Sequence, residues 1–258
     1  EDTPTPVNTA DGKLDLADGS IVISATGYTQ GDVETKYTGD YTIMQTSEGS
    51  TTNNITVTGG DHQITLSGVN IDLSAQAEGI PCAFAIESGE VTLVLADGSE
   101  NTLSRLINKN NADTGISYAG LWVQEQAQVV INGGTGKLAA VGGGSGSSEL
   151  GNTSLAAGIG ASRAHASNKN NPWKSNVGTI TIEGGVITAT GSAAGTYGGA
   201  GIGGGQHGSG SNITISGGEV NAIGGKCGAG IGGGHTGDGS DITISGGEVS
   251  ASGGESGA

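Results

Sequence analysis

The sequence is poor in aromatic and sulfur-containing residues, and it has few prolines. Aromatic residues make up 3% of its 258 residues, and it contains 2 cysteines, 1 methionine and 4 prolines. A chain with so few large side chains cannot fill the broad core of a β-sandwich, whereas the narrow interior of a stacked repeat needs only Ile, Val, Leu and Ala. The composition therefore favours a single elongated domain.

Basic residues and long apolar runs are also scarce. The chain has 9 Lys and Arg against 25 Asp and Glu, for a net charge of −16. Because the bases are scattered, neither a nucleic-acid partner nor an anionic membrane is expected. No run approaches the roughly 20 apolar residues of a membrane span, and no signal peptide is present. An acidic surface suits solubility outside the cell, or bound calcium.

The two cysteines, Cys82 and Cys227, are too far apart in sequence to share one turn of a repeat. A disulfide needs Cα atoms within about 7 Å. We therefore expect two free, buried thiols, with Cys82 facing inwards and Cys227 at a corner.

Glycine, by contrast, is abundant, with 53 residues. The motif GAGIGGG occurs at 199–205 and 228–234, and ITISGGEV at 213–220 and 242–249, so both recur after 29 residues. Within each repeat the apolar residues alternate with period two, which is typical of strands, and no window has the apolar period of a helix. A dinucleotide loop would need a helix after the glycines. A period in this range indicates a stacked architecture.

This pattern predicts an all-β fold, a single-stranded parallel β-helix with three short strands per rung and about 7–8 rungs. The β-helix is expected over 19–258, after a linker at 1–18. We expect the natural chain to continue beyond 258, where a third GAGIGGG would begin. Tyr28, Tyr37 and Tyr41 are expected to cap the N-terminal end.

The stretch ITLSGVNIDLSAQ…CAFAIESGEVTLVLADGSENTL at 64–103 resembles the repeat of a clostridial family of secreted right-handed β-helices, whose fold is related to that of polysaccharide lyases. The GAGIGGG…ITISGGEV units are similar to glycine-rich rungs of the same surface proteins. The resemblance covers about Ile55 to Gly254. It implies a right-handed helix, an extracellular or cell-surface location, binding of cellulose-like or acidic plant polysaccharides, and calcium ions on the helix.

One corner breaks the repeat. Between AGIG at 157–160 and TITIEGG at 179–185 it has grown to ASRAHASNKNNPWKSNVG. Corners tolerate insertions, and loops on rigid scaffolds often carry function. An exposed indole can stack on a sugar ring while nearby cations and amides bind its hydroxyls. The candidate carbohydrate-binding residues here are Trp173, Arg163, His165 and Lys174. Alternatively, Trp173 packs on its own rung.

Trp122 is a fifth candidate for carbohydrate binding. Leu121 and Val123 have the opposite parity, so the indole should point outwards. Contact with Trp173 would make the two tryptophans a structural cluster, whereas separation across a groove would make a sugar platform.

For a metal, Asp238 and Asp241 offer carboxylates at turn spacing that suit Ca²⁺. Asp-Gly is also ordinary turn chemistry, so both interpretations stay open. Glu183, Glu219 and Glu248 are expected to form one column of corner carboxylates. The three histidines that follow AGIG motifs occupy slipped registers, which argues against a stacked metal ladder (His165, His207 and His235).

Catalytic motifs of β-helix enzymes are missing from the sequence. Polygalacturonase-like elements such as Asn-Thr-Asp, Asp-Asp and Arg-Ile-Lys do not occur. A lyase would need a base opposite a calcium site, for which the only arginines are Arg105 and Arg163. The sequence therefore predicts a non-catalytic carbohydrate-binding module, with a lyase or hydrolase and a protein-binding stalk or adhesin as alternatives. Ice binding would need a regular threonine column, and Thr179, Thr181, Thr214 and Thr243 give only a partial one.

Overall fold

The computed structural model describes residues 11–74, 82–105, 117–145, 154–162, 176–192 and 197–257, and these form short strands joined by tight corners. A 3-10 turn spans Leu16–Asp18. The strands are β1 (Lys13–Asp15), β2 (Ile21–Ser24), β3 (Gly27–Gln30), β4 (Val33–Lys36), β5 (Tyr41–Met44), β6 (Ile55–Val57), β7 (Asp61–Ser67), β8 (Asn70–Asp72), β9 (Phe84–Ile86), β10 (Gly89–Leu95), β11 (Glu100–Ser104), β12 (Leu121–Val123), β13 (Ala127–Gly133), β14 (Lys137–Val141), β15 (Gly144–Ser145), β16 (Ser154–Leu155), β17 (Ile159–Gly160), β18 (Thr179–Ile182), β19 (Val186–Thr190), β20 (Ile202–Gly203), β21 (Ile213–Ile215), β22 (Glu219–Ile223), β23 (Ile231–Gly232), β24 (Ile242–Ile244) and β25 (Glu248–Ser252).

Three long sheets run along the molecule. The first has the order β1-β5-β7-β10-β13-β18-β21-β24, the second β25-β22-β19-β14-β11-β8, and the third β23-β20-β17-β12-β9-β6-β2-β3-β4. From β7 onward the chain visits the first, second and third sheets in turn, apart from the small antiparallel pair β15–β16. Each circuit therefore adds one parallel strand to every sheet, which confirms the predicted all-β parallel solenoid with three strands per rung.

The register of the last turns follows the sequence repeat. Ile202 pairs with Ile231 in the third sheet, and Ile213 pairs with Ile242 in the first. The 8 strands of the first sheet correspond to one strand per turn, in agreement with the predicted number of rungs. Among the described residues, no helix is long and apolar enough to cross a membrane.

The core consists of inward columns of aliphatic side chains. In the first sheet, the fully buried column comprises Ile64, Leu93, Ile131, Ile182 and Ile215. In the second sheet, the corresponding column shrinks towards the C-terminus, running from Ile71 and Leu103 to Ala140, Ala189 and Ala222. Smaller inward side chains fill a narrower interior. They occur in the same rungs as the glycine-rich corners.

Three tyrosines lie together in the N-terminal turns, and their predicted role as a cap stays a prediction. Tyr41 is fully buried, and the rings of Tyr28 and Tyr37 meet it edge-on with centroids 6.0 and 5.1 Å away. Beside them, β2, β3 and β4 form an antiparallel meander at the edge of the third sheet. β1 already pairs with β5, so the solenoid begins within the segment that the sequence predicted as a linker.

Several corner residues other than glycine have a left-handed backbone conformation. His207, Asn212 and Cys227 have φ of 62°, 56° and 59°. The residues 29 positions later repeat this conformation, with φ of 60°, 50° and 65° at Thr236, Asp241 and Ser256 respectively. The corner backbone is therefore the same in successive turns even where the side chains differ.

Candidate functional site

Trp122 lies in the middle of β12 and points away from the core. Its neighbours Leu121 and Val123 are fully buried, whereas the indole is partly exposed. In the ladder, Trp122 is flanked by Ala85 of β9 and Gly160 of β17. Because neither residue has a large side chain, no neighbour in the ladder occupies the space beside the indole. The predicted outward orientation of Trp122 is confirmed.

A second aromatic ring supports the indole. The ring of Tyr118 meets Trp122 edge-on, with centroids 5.5 Å apart and an interplanar angle of 62°. Burial raises the pKa of the Tyr118 phenol, so the hydroxyl stays protonated at neutral pH. Such edge-to-face pairs contribute about 0.5–1.5 kcal/mol beyond area burial, and this one restricts the rotation of the indole.

A shallow cavity of about 130 Å³ opens beside Trp122. It is also lined by Gln124, Glu125, Gln126 and Asn176. The Nδ2 of Asn176 donates to Oε1 of Glu125 at 3.4 Å. Glu125, Gln126 and Asn176 are exposed. The cavity therefore offers one aromatic surface surrounded by three amides and one carboxylate.

This set of groups suits a polyhydroxylated ligand. The face of an indole provides a flat apolar surface, and each side-chain amide can both donate and accept hydrogen bonds. Among the described lining residues there is no cation, and the only charge is that of Glu125. The arrangement can bind a neutral sugar without burying an unpaired charge.

Buried polar groups lie next to this site. The Nη1 of Arg105 donates to the carbonyl of Leu73 at 2.9 Å, and burial lowers the pKa of the guanidinium. The thiol of Cys82 donates to the carbonyls of Phe84 and Ala119 at 3.1 and 2.9 Å. Burial raises the pKa of Cys82 to about 12, so this thiol is protonated and its role is structural.

The cysteines are free, as predicted. Cys82 is fully buried, which confirms its inward position. Cys227 does lie at a left-handed corner, but it is partly exposed. The expectation that both thiols are buried is therefore wrong for Cys227, because corner side chains lie outside the sheets.

The four candidate residues of the enlarged corner are not among those that the structure describes. Trp173, Arg163, His165 and Lys174 lie outside the described residues, and their role stays a prediction. Of that corner, Asn176 is described, and it contributes to the cavity beside Trp122. The described end of the corner thus reaches the site that Trp122 marks.

The calcium candidates lie at the corner between β23 and β24. Asp238 and Asp241 are both exposed, and their backbone carbonyls accept hydrogen bonds from Gly210 and Ile213. Within the described part of the chain, no group of three or more His, Cys, Asp or Glu side chains is arranged to hold a metal ion. Calcium binding by these two residues stays a prediction.

The expectation that Glu183, Glu219 and Glu248 form one column is wrong. Glu219 does pair with Glu248, but the residue below Glu219 in the ladder is Val186. Glu183 is displaced because Ile182 pairs with Ile215, which puts Glu183 level with Ser216. The rings of His207 and His235 lie 5.4 Å apart despite their slipped registers, and the expectation that the histidines form no stacked metal ladder stays a prediction.

The sequence reasoning missed the other residues of the cavity, although a signal was present. Gln124, Glu125 and Gln126 directly follow the strand that carries Trp122, in a turn closed by the hydrogen bond from the Ala127 amide to the Gln124 carbonyl at 2.8 Å. A run of polar residues next to an outward tryptophan is the signal that the sequence contained. Asn176 could not be found in this way, because its proximity depends on the path of the enlarged corner.

Comparison with family models, curated proteins and solved structures finds no match to this chain. The resemblance to clostridial carbohydrate-binding β-helices therefore stays a prediction.

Proposed function

We propose that this protein is a non-catalytic carbohydrate-binding module, and that it presents Trp122 as the platform for one sugar ring of a polysaccharide. The observation that carries the proposal is the partly exposed indole beside a cavity lined by three amides. A tryptophan with a purely structural role would be expected to be covered by its neighbours in the ladder, whereas Trp122 is flanked there by alanine and glycine.

The rigidity of the platform supports this function. Trp122 lies on a strand paired on both sides, and Tyr118 fixes its ring from one edge. A site held by a scaffold loses little conformational entropy on binding. A solenoid also provides a long surface along which further sugar units of a polymer can lie.

The electrostatics favour a neutral polysaccharide at the described cavity. Glu125 lines it, and the whole chain carries a net charge of −16. A uronate would be repelled unless a cation intervened. An acidic plant polysaccharide therefore requires calcium, for which the corner residues Asp238 and Asp241 are the candidates. An extracellular or cell-surface location belongs to the same proposal.

A glycan array that includes neutral glucans and uronate polymers, probed with and without calcium, tests the proposal. We expect Trp122→Ala to lower affinity at least tenfold, which corresponds to about 1.4 kcal/mol, and Trp122→Phe to have an intermediate effect. Glu125→Gln should strengthen binding of uronate polymers and leave neutral glycans almost unchanged.

Two matched variants locate the site. Thr181→Ala removes a side chain on the outer face of the first sheet and should leave binding unchanged. Trp173→Ala tests the enlarged corner. Full binding by Trp122→Ala together with loss in Thr181→Ala would refute the Trp122 platform and place the ligand on the flat face. A wild-type protein that binds no glycan but releases sugars from a polymer would instead support a lyase or hydrolase.

A further inference from the structure

A second pair of aromatic rings lies against the third sheet, further along the solenoid than Trp122. Tyr197 precedes β20, and His235 follows β23 in the next turn. Their rings are stacked, with centroids 3.9 Å apart and an interplanar angle of 27°, and both residues are partly exposed. Because one residue precedes its strand and the other follows its strand, the stacked rings span the outer side of these very short strands.

The backbone holds this pair in place. The amide of His235 donates to the carbonyl of Gly198 at 2.9 Å, which ties the corner of His235 to the residue next to Tyr197. Gly198 is buried, and a Cβ there would lie 2.3 Å from the carbonyl carbon of Gly225, so no side chain can replace this glycine beside the tyrosine ring. Like Trp122, Tyr197 is therefore an outward aromatic ring that a second ring supports and that has a small residue next to it.

We infer that Tyr197 is a second stacking site for the polysaccharide, which lies along the solenoid axis over the third sheet. This inference rests on the proposed function of Trp122. The strands β12, β17, β20 and β23 are consecutive neighbours in that sheet, and neighbouring strands are about 4.8 Å apart, so the turns of Tyr197 and His235 lie about 10–14 Å from that of Trp122. One sugar ring is too small to contact both stacking sites, whereas an oligosaccharide can reach them together.

The arrangement favours an extended neutral chain such as a β-linked glucan. The turns between the two stacking sites are in register, so the sites follow one another along the axis, and a chain that coils would leave one of them. The exposed polar side chains of His207 and Thr236 adjoin the ring of His235, as amides adjoin Trp122. Two contacts on one chain reinforce each other because the second forms at a high effective concentration.

The test is a calorimetric titration of the full chain with cellobiose and with cellohexaose. We expect the wild type to bind cellohexaose more tightly than cellobiose. Tyr197→Ala should lower the affinity for cellohexaose about fivefold, which corresponds to about 1 kcal/mol, and should leave the affinity for cellobiose on Trp122 unchanged. Tyr197→Phe keeps the ring and is the matched control, which should bind as the wild type does. His235→Ala removes the supporting ring and should have an intermediate effect.

Nuclear magnetic resonance of the histidine rings in the wild type gives a readout that needs no variant, because a sugar on Tyr197 should shift the ring signals of His235. Loss of cellohexaose binding in Trp122→Ala, together with wild-type binding in Tyr197→Ala or unshifted His235 signals, would overturn the axial path and leave the Trp122 platform standing. A wild type that binds neither probe would overturn both proposals for a neutral glucan.

Discussion

The stacked corners predict that one glycine substitution is far more damaging than another with the same backbone conformation. Gly218 and Gly68 both lie between a strand of the first sheet and a strand of the second, and their φ values are 83° and 77°. A Cβ at Gly218 would lie 2.7 Å from the carbonyl oxygen of Gly185 in the preceding turn, whereas a Cβ at Gly68 would meet nothing within 4 Å. The two positions therefore separate backbone conformation from stacking.

The magnitudes follow from these surroundings. Alanine at either position adopts a left-handed conformation, at a cost of roughly 1–2 kcal/mol. At Gly218 the neighbouring turn must also move, and the oxygen concerned accepts the hydrogen bond of the Glu219 amide at 2.9 Å. Overpacking of this kind adds roughly 1–3 kcal/mol. We expect Gly218→Ala to lower the melting temperature about 4–8 °C more than Gly68→Ala does.

Thermal unfolding followed by far-UV circular dichroism measures this difference. Because a solenoid can unfold turn by turn, hydrogen exchange of the Glu219 amide provides a local measurement. Exchange should accelerate in Gly218→Ala and stay unchanged in Gly68→Ala. Equal destabilisation by the two substitutions would refute the reasoning, because it would mean that close stacking of the turns does not limit side-chain size at this corner.

Three further predictions concern stability. Ile215 lies in the buried core, and Ile215→Ala should lower the free energy of unfolding in urea by about 2–5 kcal/mol. Ile244 lies in the last turn and is 53% exposed, so Ile244→Ala should lower it by less than about 1 kcal/mol. Equal losses would contradict the assignment of the core. Burial raises the pKa of Tyr41 to about 12, so the native state binds the phenolic proton more tightly than the unfolded state does. The free energy of unfolding should therefore fall as the pH rises from 10 to 12. Chemical unfolding measured across this pH range should show no such fall in Tyr41→Phe. Glu100→Gln breaks an exposed ion pair of 2.9 Å with Lys137 and should change the free energy of unfolding by less than about 0.5 kcal/mol at any ionic strength.

The sequence was sufficient to predict the stacking of the turns. A pattern that recurs after 29 residues fixes which residues lie side by side in parallel sheets, and period-two alternation fixes which side chains face inwards. The pairing of Ile213 with Ile242 and the outward orientation of Trp122 follow from these two rules. Both patterns can be recognised in a single sequence without any knowledge of the three-dimensional structure.

The errors concern the corners rather than the strands. The corners after β18 and β21 have the same length, but Glu183 is the first residue of its corner whereas Glu219 is the first residue of the following strand, so Val186 and not Glu183 lies beside Glu219. The slipped registers of His207 and His235 do not predict the contact between their rings, whose centroids lie 5.4 Å apart. His207 has a left-handed backbone conformation, and its ring meets that of a residue at a different register position. The alternation of side chains along a strand does not predict such a contact at a corner.

The antiparallel meander of β2, β3 and β4 makes one edge of the third sheet different from the rest of that sheet. Every later strand of the third sheet joins its neighbour with the same polarity, whereas β3 and β4 fold back on β2 and occupy the outer side of that sheet. β4 runs against β3 and so has the polarity of the parallel strands again. The edge that β2 would otherwise offer to a further parallel rung is therefore occupied by β3 of the same chain, which keeps that edge from pairing with another molecule.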